Sequence, residues 1–153
     1  MDNKQINIGL FGFGTVGKGL YDVLKKIQPE NVSIVKVCVR NVAKHSAEAP
    51  ELEITSNADD IFTDSRINFI VELIDDAEAA YGIVKRALQA KIPVVSGNKK
   101  MLAQHIQEMI QLQRDNDTAL LYDASARGSI PVSRNLEEYY DNDLLLEVKG
   151  ILN

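Results

Sequence analysis

The 153-residue chain has no tryptophan, and only 6% of its residues are aromatic. Single-stranded nucleic-acid platforms stack bases on aromatics along a basic groove, and this chain is poor in both. Its formal net charge is −5. The first 76 residues carry 8 basic and 12 acidic side chains, and the rest carry 9 and 10. With no basic arm in either half, neither DNA nor an anionic membrane surface is an expected partner. The single cysteine, Cys38, excludes a disulfide framework within the chain. The two histidines, His45 and His105, have no companions at metal-ligand spacing, so a zinc site is not expected. No stretch approaches the roughly 18 apolar residues of a membrane span. Residues 1–5 are polar and lead into a short apolar run with no signal-peptide core. A reducing, cytoplasmic setting is the expectation.

What is present is an ordinary globular composition, 45% hydrophobic and 25% charged, at the length of one domain. Apolar runs of strand length alternate with segments of helical period. Residues 6–11, 32–39, 68–74, 93–96 and 118–122 read as strands. Val16, Leu20, Val23, Leu24 and Ile27 recur at steps of three and four, the spacing of one buried helical face, and Pro29 lies just past the end. Residues 79–90 and 101–114 repeat that pattern. Residues 44–58 read as a polar loop with a short edge strand near 52–54, followed by a short helix opened by Asn57 to Asp60. Alternation of this kind specifies an α/β fold. The expectation is a Rossmann-type doubly wound parallel sheet in three layers, a single domain. Within it residues 1–131 form the dinucleotide-binding part, and residues 132–153 a connecting helix and strand. The apolar run from Leu144 to Leu152, stopping at the C-terminus, reads as part of something longer.

The sharpest motif is Gly12-Phe13-Gly14-Thr15-Val16-Gly17, which follows a strand and opens a helix. In that context each glycine has a physical task. Gly12 permits the tight turn, Gly14 lets the backbone approach a pyrophosphate, and Gly17 lets helix and strand pack closely. The helix N-terminus adds unpaired N–H groups and the positive end of a dipole. At the end of the second strand, where a carboxylate would meet the ribose of NAD, the chain has Arg40 and Asn41, with Lys44 beyond. A guanidinium there suits the 2′-phosphate of NADP, so NADP is preferred to NAD. Ser96-Gly97-Asn98-Lys99-Lys100 lies at the carboxyl end of the strand over 93–96, where open α/β sheets bind ligands. Residues 123–131 are a small-residue loop whose Ser125 and Ser129 lack an activating base.

Together these segments resemble the amino-terminal domain of homoserine dehydrogenase, over essentially the whole chain. The residues that carry the likeness are the glycine loop at 12–17, Val-Glu-Leu-Ile at 71–74 and Val-Val-x-x-Asn-Lys at 94–99. To these are added the loop at 123–131 and Gly-Ile-Leu-Asn at 150–153. The resemblance implies NAD(P)H-dependent interconversion of L-aspartate 4-semialdehyde and L-homoserine, a step in threonine and methionine synthesis. It implies cofactor contacts at Phe13, Thr15 and Val16 beside Gly12, Gly14 and Gly17. Arg40 matches the family's 2′-phosphate arginine, and Ser96 a neighbour of the nicotinamide. Lys99 matches a lysine at the nicotinamide and substrate end, where a fixed cation would steady a developing alkoxide.

The resemblance also implies a monovalent cation held at Asp123, Ala126, Gly128 and Ile130. Here the chain departs from the pattern: Asp123 replaces the usual glutamate, and Arg127 and Ser129 replace two glycines. The family continues beyond Gly-Ile-Leu-Asn into a substrate domain. The expectation is therefore a cofactor-binding piece that takes substrate only with that domain and does not turn over alone, from an enzyme that is a homo-oligomer. Two other readings share the glycine fingerprint: a stand-alone NAD(P)-binding or sensing module, and the first domain of another amino-acid dehydrogenase such as aspartate dehydrogenase. A pure interaction domain is a third, which cofactor binding would eliminate.

Overall fold

The computed structural model describes residues 4–122. The expected elements at residues 127–153, the loop at 123–131 and the division at residue 131 lie outside these residues.

Strand β1 (Ile6–Phe11) leads through the glycine loop into helix α1 (Thr15–Ile27). Then come β2 (Val32–Cys38), α2 (Val42–Glu48), β3 (Glu53–Thr55) and α3 (Asp59–Phe62). The second half is β4 (Phe69–Glu72), α4 (Ala77–Gln89), β5 (Val94–Ser96), α5 (Lys99–Asn116) and β6 (Leu120–Leu121). All strands pair in parallel, in the order β3-β2-β1-β4-β5-β6. This is the doubly wound order, with its switch point between β1 and β4.

The strands are apolar at successive positions because both faces are covered, and alternate residues serve different cores. In β1, Ile8 and Leu10 pack with Tyr21, Val37 and Val71 beneath α1 and α2. Phe11 points the other way, into a cluster with Ile70, Val84, Leu88, Met101 and Met109 beneath α4 and α5. In β4, Ile70 and Val71 divide between the two clusters in the same way. The three expected layers follow from that division.

Two expectations are corrected. Residues 42–48 form a helix and not a loop. This helix buries no residue, so it has no apolar stripe to read. It is started instead by the Asn41 side chain, which accepts from the Lys44 N–H at 3.1 Å. In α1, the apolar residues do not all face inward: Val16, Val23 and Ile27 are 64%, 51% and 66% exposed. The close approach at Gly17 turns the helix so that Gly17 and Tyr21 are buried and Leu20 and Leu24 pack against the core. Elsewhere only boundaries shift. Helices α4 and α5 start two residues earlier than periodicity indicates, because Asp76 and Asn98 cap them.

At β2 and β3, away from the strand ends that form the cleft, Asp64 ties several segments together. It accepts from Lys36 Nζ at 2.9 Å and from Arg66 at 2.7 Å, and Arg66 also grips Glu53 with two bonds of 2.9 and 3.0 Å. The Arg66 guanidinium, and after it Lys36, holds the Asp64 carboxyl well below the usual aspartate range. A carboxyl whose folded-state pKa is depressed stabilises the fold above its unfolded value and loses that contribution as pH falls. Thermal melts across acid pH should therefore show stability declining below about the ordinary value of 3.8. Asp64→Asn should lower the neutral-pH melting temperature and flatten the acid decline. An unchanged slope would remove Asp64 from the acid transition.

Candidate functional site

The carboxyl ends of β1, β2 and β4 open onto a cleft of about 650 Å³. One wall is the glycine loop, the second is the end of β2 with Arg40 and Lys44, and the third is the segment from Leu73 to Asp76. Gly12 takes φ +94°, a left-handed conformation that side chains rarely adopt, and a Cβ there would sit 2.7 Å from the Leu73 carbonyl oxygen. A Cβ on Gly17 would sit 2.2 Å from the Gly12 carbonyl oxygen. Packing alone thus requires both glycines. Gly14 is different: it is exposed, and a Cβ there would meet nothing within 4 Å. Its open space faces the cleft at the N-cap of α1, whose first turn carries no side-chain cap and no acidic residue. Unpaired N–H groups and the dipole's positive end are therefore presented to the cleft. Thr15 and Val16 line the same wall and are exposed. Phe13 lines it too, but is 97% buried, with its ring 5.6 Å from those of Tyr21 and His45.

Arg40 stands at the opposite lip with its side chain 85% exposed, and donates to Asp76 Oδ2 at 3.2 Å. Asp76 also accepts from the Ala79 N–H at 3.0 Å as the cap of α4. That backbone donor first, and the guanidinium after it, hold its carboxyl below the usual range. The Arg40–Asp76 pair joins the β2 lip of the cleft to its β4 lip.

Three of the expected site residues lie apart from this cleft. Gly17 is buried beneath the loop and acts through packing. Ser96 is fully buried at the end of β5, and its Oγ donates to Glu72 Oε2 at 2.6 Å. Lys99 is the first residue of α5 and is exposed, next to the capping residue Asn98. Asp123, Ala126, Gly128 and Ile130 lie outside the described residues. The sequence motifs gave no site role to Glu72, a carboxylate with no exposure, or to the wall from Ile74 to Asp76. Asp76 was legible as a helix cap three residues before Ala79. Glu72 stood in the sequence only as part of the Val-Glu-Leu-Ile motif, with nothing to mark its burial or its partners. Among the described residues no cluster of histidine, cysteine, aspartate and glutamate could hold a metal ion, and no helix is long and apolar enough to cross a membrane.

Known proteins share this fold. Residues 12–123 match the family model described as homoserine dehydrogenase, NAD binding domain. The chain is 34% identical to a homoserine dehydrogenase of Lactococcus lactis over 97% of its own length and 37% of that protein. It is 30% identical to one of Bacillus subtilis over 98% of its length and 36% of that protein. The crystal structure of a homoserine dehydrogenase from Thiobacillus denitrificans superposes with a TM-score of 0.79 at 33% identity, over 88% of this chain and 33% of that one. The chain thus spans just over a third of the length of the curated relatives it matches. The stretch shared with them holds the glycine loop, both lips of the cleft and the start of α5, and on that shared ground the chain belongs to the homoserine dehydrogenase family, as its NAD-binding domain.

Proposed function

We propose that this chain is the cofactor-binding part of an oxidoreductase that interconverts L-aspartate 4-semialdehyde and L-homoserine, and that it prefers NADP to NAD. The observation that carries the reading is a pairing within one cleft. Gly14 leaves space that no protein atom fills, and Arg40 stands free enough at the far lip to turn onto a phosphate. The α1 N-terminus with Gly12 and Gly14 would hold the pyrophosphate, and Arg40 the 2′-phosphate, with Lys44 and Asn41 beside it. When bound, the nicotinamide group supplies the hydride chemistry. The chain's own residues orient it and exclude water.

Lys99 is assigned to the substrate end, where its ammonium would neutralise charge developing on the alkoxide oxygen. Substrate would be taken jointly with protein outside the matched stretch, consistent with the share of the relatives that the chain covers. On this reading the chain alone binds cofactor without turnover, in the setting of a cytoplasmic homo-oligomeric enzyme. A monovalent cation at Asp123, Ala126, Gly128 and Ile130 completes the reading. A sensing module is the alternative, and the Asn98-Lys99 pair favours the enzyme.

Calorimetric titration of the chain with NADPH and with NADH tests the reading. Tighter binding of NADPH is expected. Tighter binding of NADH would keep the cleft and remove the role given to Arg40. Heat from neither would overturn dinucleotide binding by this chain.

A further inference from the structure

We propose that Glu72 is a positioning residue for the nicotinamide end of the cleft, fixing Ile74 in the cleft wall and, through Ser96 and Asn98, the first turn of α5 that carries Lys99. The inference rests on the cofactor reading above and concerns Glu72, to which that reading gives no role.

Glu72 is the last residue of β4, and it has no exposure. Its Oε1 accepts from the Ile74 N–H at 2.7 Å and its Oε2 from Ser96 Oγ at 2.6 Å. Ser96 Oγ in turn accepts from the Asn98 N–H at 3.2 Å. Asn98 donates through Nδ2 to the Ile74 carbonyl at 2.9 Å and accepts through Oδ1 from the Met101 N–H at 2.9 Å. The Gly97 N–H closes the knot on the Glu72 carbonyl at 2.9 Å. Two strand ends, one cleft wall and one helix start thereby meet at a single side chain.

The donor inventory explains why that side chain is a carboxylate. Ile74 N–H can only donate. Ser96 Oγ already accepts from Asn98, and its own hydrogen is directed at Glu72. Two donors therefore meet the two oxygens of one group, one each; a carboxylate presents an oxygen at both places, whereas an amide presents an oxygen at one and an NH2 donor at the other. Burial pushes the Glu72 carboxyl up from its ordinary value, and the Ser96 and Ile74 donors oppose that shift. A buried carboxylate is costly and survives when its partners are complete. Apolar residues of similar size would serve a purely structural strand end at lower cost.

Geometry assigns the knot to one half of the cofactor. Arg40 follows β2 on one side of β1, and β4 and β5 lie on the other. A dinucleotide crossing the β1 loop with its phosphorylated adenosine toward Arg40 has its other half over the ends of β4 and β5. Glu72 lies beneath those ends.

The test compares NADPH with adenosine 2′,5′-bisphosphate, which lacks the nicotinamide half, on the full chain and its variants. For Glu72→Gln the bisphosphate should bind within about twofold of wild type, while NADPH weakens about tenfold, the scale of one unsatisfied buried donor. The change in nicotinamide fluorescence on binding should be lost with it. Ser96→Ala should give the same pattern, and the double variant should cost no more than the worse single one, as expected for one network. Equal weakening of both ligands, no change in either, or additive losses would overturn the proposal while leaving the cofactor reading intact. Failure of the wild-type chain to bind either ligand would overturn both.

Discussion

Gly17→Ala is expected to destabilise the fold by about 3 kcal/mol, the upper range for an overpacked site, and to lower the melting temperature by roughly 6–12 °C in a chain of this size. The new Cβ would lie 2.2 Å from the Gly12 carbonyl oxygen and 3.1 Å from its carbon. Both are backbone atoms that move only if the turn moves. Gly14→Ala supplies the contrast. Its Cβ meets nothing within 4 Å, and its φ of −78° and ψ of −158° are open to any residue. Stability should stay within about 1 kcal/mol, the range for exchanges at a helix N-cap. Cofactor affinity should nevertheless fall about tenfold or more, because the methyl group occupies the space where phosphate oxygens reach the helix N–H groups. Thermal melts and titrations of the two variants check both halves. Equal loss of stability in both would show that Gly14 also serves packing.

Arg40→Ala is expected to weaken NADPH binding about ten- to a hundredfold, the range for a hydrogen-bonded charged contact, while NADH stays within about threefold. The ratio of the two affinities is the informative quantity, since a general disturbance of the cleft would move both. The Arg40–Asp76 pair reduces the net gain only slightly, as exposed pairs contribute roughly 0–1 kcal/mol. Asp76→Asn should then raise NADPH affinity by a small factor and steepen the salt dependence of binding, because the guanidinium no longer has a competing carboxylate. An unchanged NADPH to NADH ratio in Arg40→Ala would remove this residue from cofactor selection.

The alternation of strands and helices, and with it the parallel sheet, was legible because each apolar run was bounded by turn residues and separated by a helical period. The glycine loop was legible for the same reason: its neighbours, Phe11 before and Thr15 after, fix a strand and a helix around it. Helix α2 was not, because a helix that buries no residue shows no apolar period, and its signal was only Asn41 before it and Pro50 after. The inward face of α1 was misjudged because Gly17, with no side chain, decides the rotation more than the apolar count does. At the site, Arg40 was legible from its position after β2. Its bond to Asp76 was not, since that pair spans residues 36 apart that only the tertiary fold brings together. The role of Glu72 was not legible within the Val-Glu-Leu-Ile motif, because burial is a property of both sheet faces, and one strand's sequence does not show what covers it.

The seam between β1 and β4 has a consequence for how the domain melts. Ile8 to Phe11 registers there against Phe69 to Glu72, and the core under α1 and α2 is built mainly from residues preceding the seam. The core under α4 and α5 is built mainly from residues following it. A ligand lying across the cleft touches both halves and so acts as a non-covalent staple. At a hundred times its dissociation constant, such a ligand adds about 2.7 kcal/mol to the folded state. Because it draws on both halves, the added protection should extend over them together. Amide exchange in β2 and in β5 should then slow by the same factor when cofactor is added.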